Sequence, residues 1–173
     1  MSHLMIDIET LGTKSDCVVV SVGAVPFNPS AGTVQTDFGK HWVLPIQSQL
    51  DHGRTIDQLT LRWWFEQSRE AQKGWEKPNV ARPMDFWTDI KHMTYTFVWS
   101  HGAGFDIAIL ESLFKTYELA PPWQFWNIRD TRTLFHLNDS YKVPRDTGVY
   151  HNALDDAINQ AKAVCHCWKT LKP

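Results

Sequence analysis

Two acidic residues stand inside a run that otherwise reads as a buried β-strand. The run is HLMIDIETLG, residues 3–12, and the acids are Asp7 and Glu9. In a strand, residues two apart project from the same face about 7 Å apart, and paired oxygen ligands of this kind bind hard divalent cations. Burial of a carboxylate without a partner is costly, so the pair is a candidate metal site. The alternative is a strand end at which both acids meet water or a nearby arginine.

A third acid, Asp106, stands where an apolar strand runs into a helix in VWSHGAGFDIAIL. An acid in a first helical turn offsets the helix dipole, which explains many such residues without any function. The three small residues before it, at 102–104, are less easily explained. They leave room for a ligand or another backbone to come close, and Asp106 is therefore a second candidate site residue.

A histidine and two acids occur together in YHNALDDAINQA, where a polar loop passes into the last helix. His151 marks the start of that helix, and Asp155 and Asp156 lie about one turn further on. Residues i and i+4 of a regular helix share a face, which favours Asp155 as the partner of His151. If His151 precedes the regular helix, that rule does not apply, and the spacing leaves both acids open.

The order of these residues resembles the DEDD superfamily of 3′–5′ exonucleases, in its DEDDh branch. D-x-E on a first strand, Asp at a strand-to-helix junction and a late H-x-x-x-x-D extend from Asp7 to Asp156. HGAGFDIAIL is similar to the second exonuclease motif, with Gly102 where asparagine is common, and HNALDDA is similar to the third. IDIETLGT, LRWWFEQSREA and RDTRTL resemble a phage and mycobacterial subgroup of compact exonucleases.

The resemblance implies a role for each site residue. It makes His151 the general base, and it selects Asp156 over Asp155 because the family spacing is five. It implies that two Mg²⁺ ions, for which Mn²⁺ can substitute, are held by oxygen ligands. The four acids that it assigns to catalysis and metal binding are Asp7, Glu9, Asp106 and Asp156.

The predicted reaction is hydrolysis of phosphodiester bonds from the 3′ end of single-stranded nucleic acid, with release of nucleoside 5′-monophosphates. Two metal ions about 4 Å apart activate water and stabilise the leaving oxygen in such reactions. An imidazole, with an ordinary pKa near 6.5, accepts a proton at neutral pH. DNA is favoured slightly over RNA, and trimming of RNA 3′ overhangs is the alternative.

Further residues are candidates for substrate binding. The resemblance suggests that backbone near Thr10 and Leu11 contacts the 3′-terminal nucleotide, with Leu11 as a wedge against its base. Trp63 and Trp64 lie about 100° apart on a helix, so one of them, with Trp64 as the candidate, could stack on a base; packing of both among helices is the alternative. The basic residues that could contact phosphates, Arg132 being the candidate and ordinary surface ion pairs the alternative, are Arg129, Arg132, Lys142 and Arg145.

Strands followed by alternating helices predict an α/β fold, and the resemblance specifies a ribonuclease H-like mixed sheet with three antiparallel strands, then parallel strands, and helices on both faces. β-branched and apolar runs predict strands at 3–9, 17–27, 38–44 and 95–100. Helical periods and start signals predict helices from Thr55 or Asp57 to Glu66, from Pro83 to Met93, and at 105–119, 130–137 and 152–171. Residues 69–82 and 138–150 are predicted loops, and in RDTRTL, Asp130 could cap a helix.

Length and composition restrict the classes of protein further. The chain has 173 residues and a net charge of −2, which suits one exonuclease domain over residues 1–173 and excludes a general polycation for coating duplex DNA. No apolar run is long enough to span a membrane and no signal peptide is visible, so a cytoplasmic location is expected. The predicted partner is a single-stranded DNA or RNA 3′ end, with a homodimer as a further possibility. Three cysteines do not suggest a disulfide framework, and zinc at Cys165, His166 and Cys167 is disfavoured because no second ligand pair is obvious.

Two other function classes compete with this prediction. IDIET resembles the D-x-D-x-T of haloacid-dehalogenase-type phosphatases, but the second acid is Glu9 and the late acidic pair lies in a helical pattern. A nucleic-acid-binding module that has lost activity is the other. All five expected site residues are present, which argues against it.

Overall fold

A computed structural model of the chain describes residues 2–139, 141–144 and 148–171. Six strands form one mixed sheet in the order β3-β2-β1-β5-β6, with β4 also paired to β2. β1 is antiparallel to β2 and parallel to β5, and β5 is parallel to β6. The strands are β1 (His3–Thr10), β2 (Val19–Asn28), β3 (Thr33–Val34), β4 (Lys40–Val43), β5 (Phe97–Ser100) and β6 (Ile128–Asp130).

Helices cover both faces of this sheet, as predicted. The alternation of β1 decides which side chains meet which helices: Leu4, Ile6 and Ile8 pack with the cluster that contains α4 and α5, and Met5 packs with α7. The helices are α1 (Ile46–Asp51), α2 (Gln58–Phe65), α3 (Arg69–Lys73), α4 (Asp85–His92), α5 (Asp106–Thr116), α6 (Thr131–Leu137) and α7 (Ala153–Leu171). None of the described helices is both long and apolar enough to cross a membrane.

The first turn of α7 lies directly on the backbone of β2. Gly23 makes this possible, because a Cβ atom there would lie 2.2 Å from the backbone C and O of Ala153 and 2.3 Å from the N of Leu154. Gly23 is also the cross-strand partner of Asp7. The start of the last helix is therefore held next to the first acid of the chain.

The structure differs from the predicted elements at the edges of the sheet. The strand predicted at 38–44 is present as β4, but the short strand β3 that precedes it, before a 3₁₀ turn at Thr36–Phe38, was not predicted. β6 and α1 were not predicted, since three and six residues are too few to show a period. α3 lies inside the predicted loop at 69–82, where the Ser68 hydroxyl accepts a hydrogen bond from the Ala71 N–H and starts the helix. The prediction that residues 1–173 form one domain stays a prediction.

Candidate active site

A cleft of about 490 Å³ lies between the carboxyl ends of β1 and β5 and the first turns of α5 and α7. The sequence predicted that five residues from three distant segments meet, and the structure places all five along this cleft. Two come from β1, one from the start of α5, and two from the approach to α7 and its first turn. They are Asp7, Glu9, Asp106, His151 and Asp156.

Asp7 and Glu9 share the face of β1 that carries Met5, as their spacing predicts. That face is covered by α7, so both carboxylates point toward the helix that supplies Asp156. The pairing of β1 with β2 is irregular between Glu9 and Thr10. Irregularities of this kind locally re-aim side chains at the end of a strand.

The position of His151 decides between the two acids of α7. His151 precedes the helix and has a left-handed backbone, with φ of +63°, so the i,i+4 rule does not apply to it. Its backbone N–H donates to Oδ2 of Asp156 at 3.1 Å, whereas Asp155 Oδ2 accepts a hydrogen bond from the Val149 N–H at 2.7 Å. Asp156 therefore faces the cleft, and Asp155 holds the preceding loop.

Asp106 is buried at the first residue of α5, after a loop that is fixed by residues of β6 and α6. Asp130 accepts hydrogen bonds from the backbone N–H of Ala103 at 2.6 Å and of Arg132 at 2.7 Å. Gly102 in this loop has φ of +122°, in the left-handed region that favours glycine. The predicted helix cap at Asp130 is confirmed, and the same carboxylate also holds the approach to Asp106.

Burial and the repulsion between neighbouring carboxylates favour the protonated form of the carboxyl groups in the cleft. Burial first, and then the neighbouring carboxylates, raise the pKa of Asp7 well above its ordinary value. The pKa of Glu9 is raised for the same reasons, and burial raises the pKa of Asp106 to about 7. Neighbouring groups of this kind are stable as anions when a cation lies between them.

The donor atoms of the cleft fit divalent cations. Glu9, His151 and Asp156 each offer one ligand atom, and these three atoms lie within 4.8 Å of one another. Carboxylate oxygens are the ligands that Mg²⁺ and Mn²⁺ prefer, and imidazole suits several transition metals. The clustering of carboxylates that repel one another is what a cation-binding site requires.

Comparison with known proteins places the chain in a family. The family described as "3′-5′ exoribonuclease Rv2179c-like domain" matches residues 2–168. The chain belongs to this Rv2179c-like family. It is 28% identical to an exodeoxyribonuclease of Enterobacteria phage T4, over 90% of this chain and 84% of that protein. Exonucleases of this DEDDh kind use divalent metal ions.

Solved nuclease structures share the fold of this Rv2179c-like chain. The cell-death related nuclease CRN-4 superposes with a TM-score of 0.65 at 13% identity, covering 98% of this chain and 64% of CRN-4. The nuclease domain of 3′hExo, a DEDDh family member bound to rAMP, gives 0.58 at 12% identity, covering 98% and 92%. The predicted ribonuclease H-like exonuclease fold and the predicted family are therefore confirmed.

The raised pKa of Asp106 gives the Rv2179c-like chain a distinctive pH dependence in the absence of metal. A carboxyl group with a raised folded-state pKa binds its proton more tightly in the folded chain than in the unfolded chain. Between the ordinary value of 3.8 and about 7, the unfolded chain ionises first, so the free energy of unfolding falls as pH rises. Asp106→Asn removes this contribution. In EDTA we expect its melting temperature to rise relative to wild type by at least about 3 °C between pH 5 and pH 7, the shift that roughly 1 kcal/mol produces at this size.

The comparison between variant and wild type cancels an opposing contribution. Burial lowers the pKa of His3 to about 4, so this histidine favours the folded state as pH rises toward 6.5. His3 is common to both proteins and leaves their difference unchanged. A difference in melting temperature that is constant across this pH range would contradict the raised pKa of Asp106.

Burial of the Leu11 side chain corrects one of the predicted substrate contacts of the Rv2179c-like chain, and the contact predicted for Thr10 stays a prediction. The Leu11 side chain is 2% exposed and packs with Val18, Val20 and Trp64, so it offers no wedge to a base in this structure. Its backbone N–H donates to Val18 O at 2.9 Å. The Thr10 side chain is buried and its hydroxyl donates to the Gly12 carbonyl at 2.7 Å. Direct contact of these residues with a nucleotide stays a prediction for Thr10 and is wrong for the Leu11 side chain.

Trp64 is buried as well, and its neighbour takes the exposed position. Trp64 is 2% exposed, and its indole N–H donates to the Thr10 carbonyl at 2.9 Å. No face of this ring is open to a base, so the assignment of base stacking to Trp64 is wrong. Trp63 is 39% exposed, and its ring centroid lies 4.7 Å from that of His151.

The predicted basic contacts fall into three groups. Arg132 lines the cleft, and its Nε–H donates to the His101 carbonyl at 3.1 Å. Arg129 instead holds nearby loops, donating to the Trp126 and Ile128 carbonyls at 2.8 Å. Lys142 is exposed, and Arg145 lies outside the described residues.

Sequence reasoning missed five polar or aromatic residues that also line the cleft, namely His101, Phe105, Tyr150, Asn159 and Gln160. Gln160 could have been found, because it lies four residues after Asp156 on the same helix face. The disfavoured zinc site is not assembled in the described part of the chain. Cys165 and Cys167 are buried, and His166 stacks on Tyr141.

Proposed function

We propose that this chain is a metal-dependent exonuclease that removes nucleotides from the 3′ end of single-stranded nucleic acid and releases nucleoside 5′-monophosphates. The observation that carries the proposal is the meeting of five residues, predicted from three distant motifs, along one cleft of a chain that belongs to a 3′–5′ exonuclease family. The proposed divalent ion is Mg²⁺, bound as two ions, with Mn²⁺ as a substitute. The acids that would hold it are Asp7, Glu9, Asp106 and Asp156.

Divalent ions bound there would activate water and stabilise negative charge on the leaving oxygen. His151 is the proposed general base: it lies beside Glu9 and Asp156 and accepts a proton from the attacking water. The water oxygen bonds to phosphorus, and the bond from phosphorus to the 3′ oxygen of the preceding nucleotide breaks. That oxygen gains a proton and becomes the new 3′ end, and the mononucleotide leaves with its 5′-phosphate.

Trp63 is the proposed stacking surface for a base near the 3′ end. It lines a second cavity of about 510 Å³ that shares Glu9 and the exposed Phe105 with the main cleft. Stacking of one base on an aromatic side chain contributes about 1–3 kcal/mol. Arg132, at the rim of the main cleft, is the proposed phosphate contact.

Trp63→Ala is expected to weaken binding of a single-stranded oligonucleotide by about 5- to 100-fold, with little change in melting temperature. The measurement is fluorescence anisotropy with an Asp7→Asn background to prevent cleavage. Phe65→Ala is the matched control, since Phe65 is 79% exposed on the same helix and does not line the cavity. Equal affinities for the Trp63→Ala and Phe65→Ala variants would contradict the stacking role.

Trp64→Phe should instead lower the free energy of unfolding by about 1–3 kcal/mol, because it leaves the Thr10 carbonyl without the indole N–H that donates to it.

The choice between DNA and RNA as the substrate is the more specific part of the proposal. The phage T4 relative is named for DNA, and it supports the slight preference for DNA that we carry forward from the sequence. The family description names RNA, and it supports trimming of RNA 3′ overhangs as the second candidate. The test is release of mononucleotides from DNA and RNA strands of identical sequence, labelled near the 3′ end, under equal Mg²⁺. A rate at least about tenfold higher on DNA would support our preference, and the reverse ratio would replace it with RNA.

Two further expectations stay predictions. The homodimer rests on the resemblance alone. The cytoplasmic location likewise stays a prediction from the sequence.

A further inference from the structure

Gln160 is a buried amide in the proposed metal site for which packing gives no reason. It lies on α7 one turn after Asp156, is 7% exposed, and lines the cleft. Its Nε2–H donates to Oδ1 of Asp7 at 2.8 Å. Within residues 2–139, 141–144 and 148–171, its Oε1 is buried and accepts no hydrogen bond.

On the side of α7, the surroundings of Gln160 would suit an apolar side chain. Its neighbours on the same side of α7, Ala157 and Val164, are buried in an apolar cluster. A buried polar atom without a partner is unfavourable to the fold, and a methionine of similar length would not have that defect. The contact that explains the amide is therefore the one to Asp7.

Asp7 has no side chain beside it on the neighbouring strand β2. Its cross-strand partner is Gly23, which must lack a side chain to accommodate the start of α7. The carboxylate can therefore be restrained from the helix side, and Gln160 is the α7 residue whose hydrogen bond reaches it. Hydrogen bonds from neighbouring residues orient metal-binding groups and commonly change metal affinity 10- to 100-fold.

We propose that Gln160 is a positioning residue that holds the Asp7 carboxylate in the orientation in which it binds a divalent cation. The proposal rests on the proposed function, since it takes Asp7 to be a metal ligand. An amide serves here because it donates a hydrogen bond without adding a positive charge that would compete with the cation. It also adds no negative charge to carboxylates that already repel one another.

The test is calorimetric titration of Mn²⁺ into the full chain without substrate, together with melting temperatures with and without Mn²⁺. Gln160→Met is expected to bind Mn²⁺ about tenfold more weakly than wild type. Its melting temperature in EDTA should stay within about 3 °C of wild type or rise. The substitution removes the buried Oε1, which accepts no hydrogen bond among the described residues and therefore destabilises the wild-type fold. The increase in melting temperature caused by Mn²⁺ should be smaller than in wild type.

Gln49→Met is the matched control, because Gln49 is also a buried glutamine and, in the part of the chain that the structure describes, its amide contacts only backbone atoms away from the cleft. Its Oε1 accepts a hydrogen bond from the Val19 backbone N–H at 3.0 Å, and its Nε2–H group donates to the carbonyls of Val19 and Pro45 at 2.7 Å and 3.2 Å. We expect this variant to melt at a lower temperature and to bind Mn²⁺ within about twofold of wild type. The two glutamines should thus give opposite patterns of stability and metal affinity.

Wild-type Mn²⁺ affinity in Gln160→Met would overturn the proposal. If that variant does not fold, Gln160→Asn, which keeps the amide on a shorter side chain, is expected to show the same loss of affinity. Failure of both to fold would also overturn the proposal, because Gln160 would then act on the fold and not on the cation. Wild-type protein that binds Mn²⁺ but releases no nucleotides would contradict the proposed function and leave the role of Gln160 standing.

Discussion

Asp7→Asn is expected to reduce the rate of mononucleotide release by at least about 10³-fold. Losses of this size are typical when one residue is removed from a set of catalytic residues that act together. The substitution keeps the shape of the side chain and removes the charge that would bind a divalent cation. The same change should raise the melting temperature in EDTA at pH 8. Burial and the neighbouring carboxylates raise the pKa of Asp7, so its ionised form opposes folding when no cation is present.

The measurement pairs a 3′-labelled single strand in Mg²⁺ with thermal unfolding in EDTA. Asp37→Asn is the control, since Asp37 is exposed in the 3₁₀ turn beside β3 and does not line the cleft. A variant at position 7 that retains a tenth of wild-type activity would contradict the assignment of Asp7. Wild-type protein that binds the oligonucleotide and never shortens it would favour the inactive binding module, and a phosphorylated Asp7 would favour the phosphatase.

Gly23→Ala is expected to lower the free energy of unfolding by about 3 kcal/mol, the upper range for placing extra volume in a packed interior. The new Cβ would lie 2.2 Å from backbone atoms of Ala153, and no change of rotamer can relieve a contact with backbone. The start of α7 must therefore move away from β2. Because His151 and Asp156 lie on either side of this contact, nucleotide release should fall as well.

Chemical denaturation gives the free energy, and Gly104→Ala is the matched control. A Cβ at Gly104 would meet nothing within 4 Å, so its stability should stay within about 0.5 kcal/mol of wild type. A similar small effect at position 23 would show that α7 can shift without cost and would remove the argument for close contact there.

The main features of the fold were predictable because they rest on local periods and on motif order. The alternation of β1 correctly placed Asp7 and Glu9 on one face, and the resemblance correctly gave a mixed sheet with helices on both sides. β6 was not predictable, because three residues carry no period. Its importance lies in tertiary contacts: Asp130, at its end, holds the loop before Asp106.

The meeting of the five predicted residues in one cleft followed from motif order, whereas the residues around them were harder to predict. Helical geometry alone favoured Asp155, and the left-handed backbone of His151 removes the basis of that rule. Trp63 and Trp64 could not be distinguished by spacing, since the choice depends on a distant acceptor, the Thr10 carbonyl. Gln160 has an unremarkable place in the helical pattern, and its importance appears when Asp7 is found beside it.

The glycine opposite Asp7 has a consequence for protein engineering. A designer who transfers these acids to another sheet must also place a residue without a side chain on the adjacent strand, because Gly23 sets the spacing between β2 and the start of α7. A graft that copies the acids and places a side chain at the position of Gly23 would keep the start of the helix further from the strand, because a Cβ there would lie 2.2 Å from backbone atoms of Ala153.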